Sequence, residues 1–173
     1  MRERARARTA HEGHARYYGA SPEATDLGDV AAPEAVDFLL DLAATAATSV
    51  AKDAILPAVI AAAPDPWERL LALARNAALH TDVREQAIFW LGQSAAREAT
   101  ARLTDLATGD ETVKVQRAAV FALSQRDDPE RIDGLISVAR THRNPEVVKA
   151  AFFWLAESED ERAIELFEEV LTR

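Results

Sequence analysis

The chain has 173 residues, no cysteine and a formal net charge of −9; that length suits one domain or a short repeat array. Disulfides and thiol–metal centres are excluded, and no uncharged apolar run approaches the ~18 residues needed to cross a bilayer. The charge is unevenly placed. Residues 1–20 hold five arginines against Glu3 and Glu12, so the remainder carries −12, which repels phosphate backbones and favours a neutral or basic protein partner over nucleic acid.

In chain order, residues 1–32 read as a flexible lead. The stretch RERARARTAHEGHARYY is basic but lacks the apolar core of a signal peptide. The first helix is expected over 33–46 (PEAVDFLLDLAATA), with Val36, Leu39, Leu40 and Ala43 free to cap the first helix pair. Helix pairs then fall at 49–62 with 66–78, 81–93 with 96–107, 112–125 with 129–141, and 145–157 with 160–172. Pro57 lies inside the first of these and predicts a kink, because proline removes a hydrogen bond and clashes one turn back. Asp128-Pro129 and Asn144-Pro145 each set a capping side chain before a proline. Capping boxes are expected at Asp65–Glu68 and Ser158–Glu161, and helix ends at Gly92 and Gly109.

The dominant signal is repetition. AIFWLGQ (87–93), AVFALSQ (119–125) and AFFWLAE (151–157) recur at an interval of 32 residues. The same step relates Val83, Val115 and Val147, and Leu91, Leu123 and Leu155. In the second helices it relates Leu71, Leu103, Leu135 and Phe167, and also Ala74, Leu106, Val138 and Val170. A fixed period of this size marks a solenoid of two-helix units, each of which needs its neighbours to bury its apolar faces. Apolar residues wrap most of the way round the first helices, which predicts two interior ladders: Ile88, Val120 and Phe152, and Phe89, Phe121 and Phe153. Trp90 and Trp154 read as core packing between helices rather than as binding hot spots. The last helix carries Glu161, Glu165, Glu168 and Glu169, the polar outer surface that a terminal cap requires.

The heptads within DVREQAIFWLGQ, TVKVQRAAVFALSQ and NPEVVKAAFFWLAE resemble bacterial HEAT-like repeats of the phycobilisome-lyase type, strongly over 83–173 and fairly over 49–82. The resemblance implies an all-α, right-handed solenoid of about four helix pairs plus an N-terminal capping helix. First helices would line its convex side and second helices its concave side. It implies a protein-binding scaffold. Related proteins often carry an export signal and a longer N-terminal region. As written, the sequence points to the cytoplasm; a longer native chain with a signal peptide would point to the periplasm.

No residue set suggests catalysis, a cofactor or a metal. His11 and His14 stand three apart, where the HExxH arrangement needs four, and they read as part of a solvated tail. His80 and His142 read as exposed turn residues. Ser94, Ser124 and Ser137 have no histidine base in a readable arrangement. The repeats lack the His-Glu pairs of HEAT-like hydroxylases. The candidate binding surface lies on the second helices, where Arg69, Ala101, Asp133 and Glu165 form one column and Leu73, Asp105, Ser137 and Glu169 another. Both columns are expected to face outward on the concave side, turning acidic toward the C-terminus. Arg69, Asp105, Asp133, Ser137, Glu165 and Glu169 are therefore the candidate contacts for a basic segment. The alternatives are a HEAT-like enzyme or enzyme subunit, such as a chromophore lyase component, and a regulatory module of a longer exported protein. The sequence assigns no oligomeric state.

Overall fold

A computed structural model describes residues 29–62, 64–109 and 111–172. Met1–Val30 and Ala31–Arg173 form separate units, and only residues 29 and 30 of the first are described. The flexible lead and the His11–His14 pair lie outside the described residues.

Nine helices are found among the described residues, and no strand. They are α1 (Ala32–Thr45), α2 (Thr48–Ala61), α3 (Trp67–Arg75), α4 (Thr81–Gly92), α5 (Glu98–Thr108), α6 (Val113–Ser124), α7 (Glu130–Thr141), α8 (Pro145–Ala156) and α9 (Glu161–Leu171). Each lies where the sequence reading places it, within three residues at either end. Helix α2 runs through Pro57 without interruption.

The helices stack in two rows. α2, α4, α6 and α8 touch in succession along one row, and α1, α3, α5, α7 and α9 along the other. Between rows, the second-row helices before α9 pack most extensively on their successors in the chain: α1 on α2, α3 on α4, α5 on α6 and α7 on α8. The packing unit is thus offset by one helix from the unit written in the sequence. α1 is the first member of the second row, and Val36, Leu40 and Ala43 are buried beneath it as expected, with Leu39 half-buried.

The seam between the rows consists of the repeat's apolar columns. Val83, Val115 and Val147 are buried, as are Ala87, Ala119 and Ala151, and Leu91, Leu123 and Leu155. From the second row come Leu103, Leu135, Leu106, Val138 and Ile132. Each large aliphatic side chain removed from water contributes roughly 1.5–3 kcal/mol, so this seam is the main source of stability. Gly92 has a steric reason. A Cβ there would stand 2.9 Å from the Cβ of Ala122, so α4 and α6 approach more closely than a side chain allows.

The first predicted ladder is interior: Ile88 and Val120 are fully buried, and Phe152 is half-buried against Phe167 at a ring separation of 5.7 Å. The second is not. Phe89, Phe121 and Phe153 are 36%, 37% and 55% exposed and lie on the outside of the first row. The reason is angular. Phe89 follows the charged or polar positions Asp82, Glu85 and Gln86 at helical spacing, and Phe121 and Phe153 follow Lys114 and Arg117, and Glu146 and Lys149. A residue on that stripe shares its outward direction. At the C-terminal end the expected polar cap is mixed. Ile164, Val170 and Leu171 are exposed beside the glutamates, whereas Ile132 and Val138, one repeat earlier, are buried.

Caps form at some predicted positions and move at others. Asn144 accepts the Glu146 N–H at 2.9 Å, with Pro145 as the first helical residue. At α9 the cap is Asp160, not Ser158; Asp160 accepts from the Arg162 N–H, while Ser158 bonds back to the Leu155 carbonyl. Asp65 does not cap α3. Its carboxylate reaches the next interhelical turn, accepting from Ser94 Oγ at 2.6 Å and the Ala95 N–H at 3.0 Å. His80 is exposed and caps α4 by accepting the Asp82 N–H. His142 is half-buried rather than exposed, and its Nδ1 accepts the Asn144 N–H at 3.0 Å.

Candidate functional site

The two rows present different outer surfaces. On the second row the predicted columns face outward with one exception: Leu73 is 5% exposed and belongs to the core. Ser137 is half-buried. The charged members are largely engaged by neighbouring helices. Arg69 bridges Asp37 and Asp41 of α1. Asp105 accepts from Arg75 of α3 and from Arg102, both at 3.4 Å. Asp133 accepts from Arg162 of α9 at 2.9 Å. Glu169 accepts from Arg140 of α7. Glu165 is exposed. Four of the six candidate contacts, Arg69, Asp105, Asp133 and Glu169, thus belong to a ladder of arginine–carboxylate pairs that joins α1 to α3, α3 to α5 and α7 to α9. Such exposed pairs contribute about 0–1 kcal/mol each.

Beneath the ladder are two buried arginines that the periodic reading passes over. Arg84 donates from Nε to the Ala74 carbonyl at 2.7 Å and from Nη2 to Glu111. Gln116, one repeat on, donates to the Gly109 carbonyl at 2.9 Å. Both satisfy a carbonyl left open at the end of a second-row helix. Their column ends in Val148, so only a polar pair beside the valine column marks it in the sequence. Arg126 is 8% exposed and joins two interhelical turns. It donates to the carbonyls of Gly92 (3.3 Å), Ser94 (3.0 Å) and Ala96 (3.0 Å), to Thr100 Oγ1, and to Asp128 Oδ2 at 2.6 Å. Its repeat counterparts are Ser94 and Ser158, so no column announces it.

The perturbed carboxylates belong to this framework. Burial alone would push the Asp128 carboxyl up. The hydrogen bonds from Thr100 and Arg126, the guanidinium charge and the Arg131 backbone outweigh that and hold it below its ordinary 3.8. The Asp160 carboxyl is lowered, chiefly by its hydrogen bond from Arg162, and the Arg162 guanidinium is correspondingly raised. Each shift has a structural arginine as its partner. Among the described residues, no three or more His, Asp or Glu side chains gather in a way that could hold a metal.

The first-row surface is aromatic. Phe89 meets Trp90 edge to face at 5.1 Å. Trp154 packs edge to face on Phe153 at 4.9 Å and crosses from α8 to Phe121 of α6 at 5.4 Å. Trp90 and Trp154 rest on the core but remain half-buried at its rim, and the indole N–H of Trp90 is enclosed without an acceptor. Between them Ala122 holds the same repeat position, which keeps α6 close to Gly92. Two open grooves run beside the rings. One, of about 480 Å³, is lined by Lys52, Asp82, Gln86, Phe89 and Phe121. The other, of about 500 Å³, is lined by Arg117, Glu146, Lys149, Phe153 and Trp154. Trp67 is half-buried against the core.

Two stacked rows of helices with a buried aliphatic seam and an in-register outer face define a helical-repeat protein. Residues 67–151 and 104–173 match the family model for HEAT repeats, and the chain belongs to that family. No curated protein and no solved structure matches it. HEAT repeats generally mediate protein–protein interaction. None of the described helices is long and apolar enough to cross a membrane.

Proposed function

We propose that the chain is a non-catalytic protein-interaction scaffold and that the outer face of α4, α6 and α8 is its contact surface. One observation carries this reading: Phe89, Phe121 and Phe153 are exposed, one on each of α4, α6 and α8, where folding alone would favour polar side chains. Aromatic side chains at the centre of a contact patch supply most of the binding energy in protein interfaces. The adjoining grooves are open and shallow, which suits a polypeptide better than an enclosed small substrate.

The face of the second row is the second reading, favoured by exposed Glu165 beside Asp133 and Glu169. It has less to offer a partner, because a newcomer must displace arginines already in place. The test is capture from the native source by the wild type and by the F89S/F121S/F153S variant, with mass spectrometry of what binds. The proposal expects a reproducible protein partner that the variant loses while its unfolding midpoint stays close to that of the wild type. A partner held equally by both proteins would move the contact surface elsewhere. A bound small molecule in place of a protein would favour an enzymatic role.

A further inference from the structure

The first-row surface is not uniform, and the difference bears on what it can bind. On α2 and α4 the rings have Lys52, Asp82 and Glu85 beside them, and Lys52 already faces Asp82 at 4.0 Å. On α6 and α8 the surroundings turn cationic. A groove lined by Glu85, Lys114, Arg117, Phe121 and Trp154 joins the one lined by Lys149 and Phe153. Arg117 is taken by Glu146 at 3.6 Å. Lys114 and Lys149 are exposed and make no ion pair among the described residues. Glu85, across on α4, is the other carboxylate at the rim. In a chain of net charge −9, these two lysines flank the most extensive aromatic cluster, Phe121–Trp154–Phe153.

Resting on the scaffold reading above, we propose that the α6–α8 face docks an acidic peptide segment. Two large apolar side chains of that segment would seat against Phe121, Phe153 and Trp154, and its carboxylates would pair with Lys114 and Lys149. Charge complementarity surrounds an aromatic centre that binding would remove from water. Apolar contact with the rings supplies affinity. The lysines at the rim select the sign of the partner and speed its capture. The exposed carboxylates at the C-terminal end of the second row, Glu165 among them, disfavour such a segment there. The partner's charge is thus opposite to the one that net composition suggests, because the carboxylates of the second row are already matched by arginines.

A displayed library of random 16-residue peptides, selected on the wild-type chain and counter-selected on F121S/F153S, tests this directly. The expected result is enrichment of sequences with several Asp or Glu around two large apolar residues. Their binding should weaken about fivefold to tenfold in K114E/K149E, in line with two exposed charge pairs, and should weaken with added salt in the wild type alone. Both variants carry changes at exposed or half-exposed positions, and an unfolding midpoint close to the wild type's verifies that they fold. Enrichment of neutral or basic apolar sequences would overturn the acidic assignment and leave the aromatic surface standing. Peptides that bind F121S/F153S as well as the wild type, or no enrichment at all, would overturn the docking site itself.

Discussion

The two outer faces of the stack come from the same repeat but treat their conspicuous side chains in opposite ways. On the second row, charged residues of one helix are matched by those of the next: Arg69 with Asp37 and Asp41, Arg75 with Asp105, Arg162 with Asp133, Arg140 with Glu169. On the first row, the rings of Phe89, Phe121 and Phe153 remain partly in water, and the indoles of Trp90 and Trp154 cover them only in part. Charge on a repeat surface is therefore not in itself a binding signal, since neighbouring repeats can neutralise it. An aromatic ring kept outside on α4, α6 and α8 alike is more telling, because folding gains little from leaving it there.

The largest effect is expected at Arg126. If charged groups in this chain are structural where they are paired, this buried arginine should be the costliest to lose. Arg126→Met removes a buried donor from three carbonyls and from the Asp128 carboxylate, which keeps only its bonds from Thr100 and the Arg131 backbone, and should cost about 3–5 kcal/mol in chemical unfolding. A loss below about 1 kcal/mol would mean the network is not fixed in solution.

Two residues one short step apart separate inside from outside. Leu123 is fully buried and Phe121 is 37% exposed. Leu123→Ala should cost about 2–5 kcal/mol, and Phe121→Ala clearly less, because the ring keeps much of its water contact when folded. Equal losses, measured by urea titration, would place Phe121 in the core after all.

Acid gives a smaller effect with a definite sign. The folded Asp128 carboxyl lies below its ordinary 3.8. Its contribution to stability is therefore fully present above that value and is lost as pH falls through the lower, folded one. Stability profiles from pH 7 down to pH 2 should show a decline that is shallower in Asp128→Asn. A profile unchanged by that substitution would show that the carboxyl is not held low. The smallest effect is expected on the second-row surface, where Asp133→Lys breaks an exposed pair with Arg162 and should shift stability by no more than about 1 kcal/mol. A larger loss there would make the ladder a principal support of the fold.

Most of the fold was legible in the sequence because stacking requires the same apolar columns in each unit. The valine, alanine and leucine columns of the first helices, and the Leu71–Leu103–Leu135–Phe167 column of the second, place α3 to α9, while α1 and α2 are read from their own apolar spacing. What was not legible has identifiable causes. The heptad AIFWLGQ shows that apolar residues surround the helix but not which of them the neighbours cover. That information lay upstream, in the polar stripe Asp82, Glu85 and Gln86 that carries Phe89 outward. Leu73 shared a column with polar residues in later repeats, but α3 turns it into the core. Arg126 is irregular in the repeat, and its role appears only when two turns distant in sequence come together. Arg69, Asp105, Asp133 and Glu169 lie on the outer surface of the second row. Their cross-helix partners sit 28–32 residues away, a distance at which column reading sees each charge alone.

A calorimetric titration decides between the two faces: a partner recovered from the native source, measured against F89S/F121S/F153S and D133K/E165K/E169K. The first-row surface predicts a loss of affinity of at least about a hundredfold for the aromatic variant, the scale of two hot-spot truncations, and a change within a few-fold for the charge variant. The opposite pattern, with binding kept by the serine variant and abolished by the lysines, would contradict it and return the contact surface to the second row.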